Sequence, residues 1–199
     1  MTRIDAPLNT LSLWFVDQPR PVFDISQVLQ FINRTKQLER PDHAEVDFSE
    51  DTFSVDIKLW AGNSVSALKF SSTGLDNRIS LLKQICTQCS PILSHVDTLA
   101  LICYSAGSQL SQQEPALLLE VLHLFNAVDT LWIDDYIMET VLSEALGSVA
   151  WDWERAAEVL PVLDTIQVRG KRPRPEIMSA FIDTRLEMGH PVELGWVNF

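Results

Sequence analysis

The chain has 199 residues, enough for one domain with a sizeable core. A hydrophobic share of 46% and a charged share of 21% exclude a disordered polymer. The formal net charge of −12 opposes phosphate backbones and anionic lipid, so neither sequence-independent nucleic-acid binding nor membrane attachment is expected.

The predicted elements run as follows. Leu8–Leu13 alternates as a strand, and Asp24 caps a helix whose apolar face is Ile25, Val28, Leu29, Phe31 and Ile32. Val46 and Phe48, then Ser49-Glu50-Asp51-Thr52, then Phe53, Val55, Ile57 and Leu59 read as a β-hairpin near residues 44–60. Val65–Phe70 is the next strand. Asp76 caps a helix carrying Ile79, Leu82, Cys86 and Cys89 on one face. Val96–Leu101 is a strand. Ser111 to Glu114 has capping-box spacing, and Pro115 stands early in a helix continued by Leu117, Leu118, Val121, Leu122 and Phe125. Val128–Ile133 is a strand, followed from Tyr136 to Leu160 by helix that Gly147 is expected to break in two. Leu163–Val168 is a strand. Pro175 opens a helix with Ile177, Met178, Phe181, Ile182 and Leu186, which Gly189 closes, and Val192–Val197 is the last strand.

Most of these strands are copies of one pattern: apolar, x, Thr, apolar, x, apolar. Thr10, Thr98, Thr130 and Thr165 hold the same slot, three of them preceded by Asp in Asp97-Thr98, Asp129-Thr130 and Asp164-Thr165, with Ala67 in the slot of a further copy. The slots at 67, 98, 130 and 165 are 31, 32 and 35 residues apart, a spacing typical of strand–helix repeats. The step from 10 to 67 is 57, and the hairpin fills it as an insertion in an early repeat.

Strands alternating with helices imply a parallel sheet. A doubly wound sheet buries both faces. A leucine-rich-repeat-like arc has helices on one side only, leaving the x positions on an open surface. The x positions include Ser12, Lys69, Ala100, Trp132 and Gln167, which are mixed in character and favour a short degenerate arc, one domain over 1–199. The Asn that follows the strand in leucine-rich repeats is absent from every copy. The alternative is a doubly wound small-molecule-binding or enzymatic domain.

Motifs for catalysis are missing: the sequence has no GxGxxG, Walker, HExxH or GxSxG pattern, so no enzyme, cofactor or metal is expected. Cys86-Thr87-Gln88-Cys89 has redox or zinc spacing, but no second pair completes it, and two small apolar residues one turn apart on a buried helix face explain it better. Asp134-Asp135 reads more readily as a helix cap than as a metal site, and Glu45, Asp47, Glu50 and Asp51 as a solvated hairpin face. His123 is expected to be a partly buried, satisfied histidine; His43 and His95 are placed in or beside loops without a role. Arg169 to Arg174 is the one concentrated run of positive charge, a contact for an acidic partner or else a solvated loop. The candidate protein-binding residues are Trp14, Lys69, Trp132, Asp134, Gln167, Arg169, Lys171 and Arg172. Cys86, Cys89 and Cys103 are odd in number and Met1–Asp5 carries no apolar signal segment, so a reducing compartment, cytoplasmic or nuclear, is expected.

The sequence resembles the C-terminal region of the basidiomycete fungal F-box proteins. The resemblance rests on Arg3-Ile4-Asp5-Ala6-Pro7-Leu8, Leu29-Gln30-Phe31-Ile32-Asn33-Arg34-Thr35, and Ala44-Glu45-Val46 with Phe48-Ser49. It continues through Leu124-Phe125-Asn126-Ala127-Val128-Asp129-Thr130-Leu131, Glu158-Val159-Leu160-Pro161-Val162-Leu163, Phe181-Ile182-Asp183-Thr184-Arg185 and Gly189-His190-Pro191-Val192. It implies a leucine-rich-repeat-like region that selects substrates for a cullin–RING ubiquitin ligase. In that family the Skp adaptor is bound by an F-box, whose Leu-Pro-x-Glu opening is absent here, so the adaptor is not an expected partner of these residues.

Overall fold

The structure, a computed structural model, describes residues 10–15, 40–49, 54–62, 64–72, 78–103, 114–134, 142–149, 152–170 and 178–197. One sheet organises them. Its strands are β1 (Thr10–Phe15), β2 (His43–Ser49), β3 (Ser54–Ala61), β4 (Ser64–Ser72), β5 (Thr98–Cys103), β6 (Thr130–Asp134), β7 (Thr165–Arg169) and β8 (Glu193–Val197). Their spatial order is β1-β4-β3-β2-β5-β6-β7-β8. The described helices are α1 (Arg78–Leu93), α2 (Glu114–Leu122), α3 (Ser143–Val149), α4 (Trp153–Glu158) and α5 (Ser179–Glu187).

The phase of the sequence repeat is the register of the sheet. Thr98 pairs with Thr130 and Thr130 with Thr165, while Thr10 pairs with Ala67. The repeated Asp-Thr has a backbone reason. The amides of Asp97 and Thr98 both donate to the Asp42 carbonyl, those of Asp129 and Thr130 to Asp97, and those of Asp164 and Thr165 to Asp129. Each unit's first carbonyl therefore starts the next strand. Thr98 and Thr130 also donate their hydroxyls to the carboxylates of Asp97 and Asp129 at 3.1 and 2.8 Å.

The sheet is mixed: β3 runs against β2, as the expected hairpin requires, and against β4, while the other neighbours are parallel, as expected of strand–helix units. The hairpin is present, with Ser49 opposite Ser54, but it is not a side insertion. Its first strand pairs in parallel with β5, His43 opposite Thr98, so β2 holds a place in the repeat's own register. Ala44 and Val46 are fully buried there, as Leu99 and Leu101 are in β5. The third strand of the meander follows because Gly62, at φ +57°, opens the two-residue turn between Ala61 and Ser64, a backbone conformation that L side chains resist.

The core lies on one side. Alternate strand residues (Ala44, Val46, Ile57, Leu59, Leu99, Leu101, Leu131, Ile133, Ile166 and Val168) form a single apolar cluster with the helices. Leu82, Ile85, Cys86, Cys89 and Leu93 contribute from α1 at the spacing of one helix face, Leu118, Val121 and Leu122 from α2, Ala145, Leu146 and Val149 from α3, and Phe181 from α5. An ion pair between Lys83 and Glu120 joins α1 to α2.

The helix ends modify two further expectations. Gly147 lies inside α3, and the break falls after Val149, where Asp152 caps α4 by accepting from the Arg155 amide at 3.2 Å. An Asp able to bond the orphan amides dictates the break more strongly than one tolerated Gly. Asp134 is the last residue of β6, not part of a helix cap within the described residues. Gly189 does close α5: at φ +79° it donates to Leu186, and His190 donates to Arg185, the two bonds of a Schellman ending. The caps read at Asp24, Asp76 and Ser111, and the opening of the last helix at Pro175, lie outside the described residues.

Candidate functional site

Each strand alternates, so the residues between the core positions form the second face of the sheet. Along it Glu45, Ala100, Trp132, Gln167 and Gly195 stand in one register row. Trp132, Gln167, Lys69 and Glu45 are half-buried, whereas Ala100 and Ile102 on the same face are buried. The alternation is regular through β6, intermediate then buried, and through β7 until its last residue, Arg169, which is exposed.

A depression of about 230 Å³ opens on this face across β2, β5, β6 and β7. Its floor is Ala100 and Ile102, 5% and 7% exposed, and its walls are His43, Glu45, Trp132, Asp134 and Arg169. Small Ala100 between Glu45 and Trp132 makes the hollow, because its neighbours in the row are long. Asp134 and Arg169 are register partners at the far wall. At the near wall Glu45 faces Lys58 across the hairpin and accepts from its ammonium at 2.5 Å. His43 packs edge-on against Trp60, with ring centroids 4.6 Å apart. Burial holds the His43 imidazole below its ordinary pKa, against the opposing pull of Glu45, Asp42 and Asp97.

Of the candidate residues, Trp132, Asp134 and Arg169 meet at this depression, and Gln167 stands beside Trp132. The Gln167 amide lies over Gly195, where an added Cβ would come within 2.4 Å of it. Lys69 lies in β4, separated from the depression by β3, and Trp14 lies in β1 opposite Ser71. Lys171 and Arg172 are outside the described residues. Sequence reading missed His43, Glu45, Ala100 and Ile102 as a group. The signal for Ala100 was its x position; for His43 none was legible, because its strand begins before any alternation shows.

The remaining candidates have structural roles. His123 sets Nδ1 3.3 Å from the carbonyl of Glu158, the satisfied contact expected of it. Cys86 and Cys89 are buried on α1, and burial pushes the Cys86 thiol well up and that of Cys89 up to about 12. Thiols held protonated and covered do not attack electrophiles. Neither is therefore expected to react with a thiol-specific reagent in the native chain, and both are expected to react within minutes in denaturant. Peptide mapping after iodoacetamide treatment checks this, and rapid native labelling at position 86 would contradict the packing.

Among the described residues no three His, Cys, Asp or Glu side chains are grouped to hold a metal ion. No described helix is long and apolar enough to cross a membrane. Fold and site together define an α/β domain with a mixed sheet, one face of which packs against the described helices. Comparison with protein-family models, curated proteins and solved structures returns no match to this chain.

Proposed function

We propose that the chain is a non-catalytic protein-interaction module, a short degenerate leucine-rich-repeat-like arc that recognises a protein partner through its open sheet face. The observation that carries the reading is the hollowed row across β2 to β7, where half-buried Trp132 stands beside charged and polar neighbours. A bulky aromatic in a polar setting is the composition of binding hot spots. The resemblance to the substrate-selecting region of F-box proteins supports the same reading, without extending it to the Skp adaptor. The competing reading is a small-molecule or enzymatic α/β domain.

A photo-crosslinking residue placed at Gln167, on the open face, and at Glu154, exposed on α4, tests the reading in cells of the source organism. The expected result is a discrete protein adduct from position 167 and none from position 154. Adducts only from position 154, or none from either, would overturn it.

A further inference from the structure

We propose that the depression on the open face is a socket for one bulky apolar side chain of an extended, basic partner segment; this rests on the interaction-module reading and names the chemistry of the partner. Three features support it.

The first is size and lining. A hollow of about 230 Å³ matches one large side chain rather than a ligand molecule. Its floor, Ala100 and Ile102, is apolar, and the Trp132 indole offers a flat wall. His43 adds an aromatic ring, packed edge-on against Trp60. The charged walls are matched within the protein: Glu45 holds Lys58, and Asp134 stands opposite Arg169 in register. An incoming charge at the floor would have no excess of opposite charge to meet, whereas an apolar group would cover Ala100 and Ile102 at little desolvation cost.

The second feature sets the charge of the flanks. Asp42, Asp97, Asp129 and Asp164 immediately precede β2, β5, β6 and β7, and all four are exposed. Consecutive backbone bonds tie them into one row, with neighbours on the order of 4.8 Å apart. All four lie at the same end of their strands, so a basic segment laid along that end meets an acidic edge. The whole chain, at −12, adds to the attraction.

The third is the distance between the two. Asp97 precedes Ala100 by three residues on one strand, roughly 10 Å at about 3.3 Å per residue. An extended partner covers that distance in two to four residues. The partner segment therefore carries a Phe, Trp, Leu or Met with Lys or Arg two to four positions away.

The test is a random dodecapeptide phage library panned against the full chain at low salt, followed by fluorescence anisotropy of the enriched peptides. The expected peptides pair one bulky apolar residue with a basic residue at that separation. Trp132→Ala, which removes the wall, and Ala100→Leu, which fills the floor, are each expected to weaken them about tenfold. An Asp97→Asn/Asp129→Asn double variant is expected to weaken them about threefold and flatten the salt dependence. Ala100→Leu keeps Trp132, so concordant losses in two variants that retain wild-type thermal unfolding identify the socket. Enrichment of acidic peptides, of none, or of peptides indifferent to both socket variants would overturn the inference. The crosslinking result decides the broader reading independently: an adduct from position 167 with a failed panning leaves the module and removes the socket.

Discussion

Leu131→Ala is expected to destabilise the chain by about 3 kcal/mol, the cost of the lost methyl burial plus the cavity left behind. Leu131 is fully buried in β6, paired in register with Leu99 on β5 and Ile166 on β7, both also fully buried. Flanked on both sides by strands and covered by helices, the site cannot collapse far. For a chain of this size, 3 kcal/mol corresponds to a fall in Tm of about 6–12 °C. Urea denaturation checks it: the midpoint should fall with the slope unchanged. The adjacent Trp132→Ala is expected to cost less than half as much, although it deletes more atoms, because Trp132 stands half-buried on the open face. Equal costs for the two would mean that both sheet faces are core.

The second large effect centres on Arg185, 1% exposed on α5. Its Nη2 donates to the carbonyls of Pro161 and Leu163 at 3.1 and 3.3 Å, while Nε and Nη1 make no hydrogen bond. Burial pushes its pKa down, and the carboxylate of Asp164 acts in the opposite direction. The turn it holds follows Leu160, a buried residue in the left-handed region at φ +48°, a conformation that costs on the order of 1–3 kcal/mol. Arg185→Ala leaves a cavity and frees both carbonyls, and is expected to cost about 3 kcal/mol. Arg185→Met keeps most of the volume and removes the buried charge, so its cost is expected to be about 1 kcal/mol. Asp164→Asn takes away compensation for that charge and is expected to cost about 1 kcal/mol. Asp129→Asn, in the same register and without a buried arginine, is expected to be close to neutral. In an Arg185→Met background the cost of Asp164→Asn should vanish, which a double-mutant cycle measures. An unchanged cost there would show that Asp164 acts through its backbone turn alone.

How much of this was legible in the chain varies element by element. The strands at 98, 130 and 165 were readable because one Asp-Thr pattern serves one backbone device, repeated wherever a new strand starts on the previous unit's carbonyl. The last helix's ending was readable because Gly189 satisfies a local requirement for positive φ. The helix break at Asp152 was misplaced to Gly147, since two weak local signals competed and the cap prevailed. The place of β2 was not readable at all. His43 and Glu45 look like a polar hairpin arm, and nothing near them in sequence states that they pair with β5.

The same division holds for the candidate site. Trp132, Asp134, Gln167 and Arg169 could be chosen beforehand, because a period of two along a strand states which residues share a face. By itself, the sequence determined the strands, most helix faces and the parity that separates core from open surface; all are local properties of three to four neighbouring residues. Only the tertiary structure decided that β2 sits beside β5, and that Glu45 and His43 wall a hollow floored by Ala100 and Ile102. The β2–β5 pairing joins segments more than 50 residues apart, selected by the fit of whole strand edges, and no local pattern encodes it.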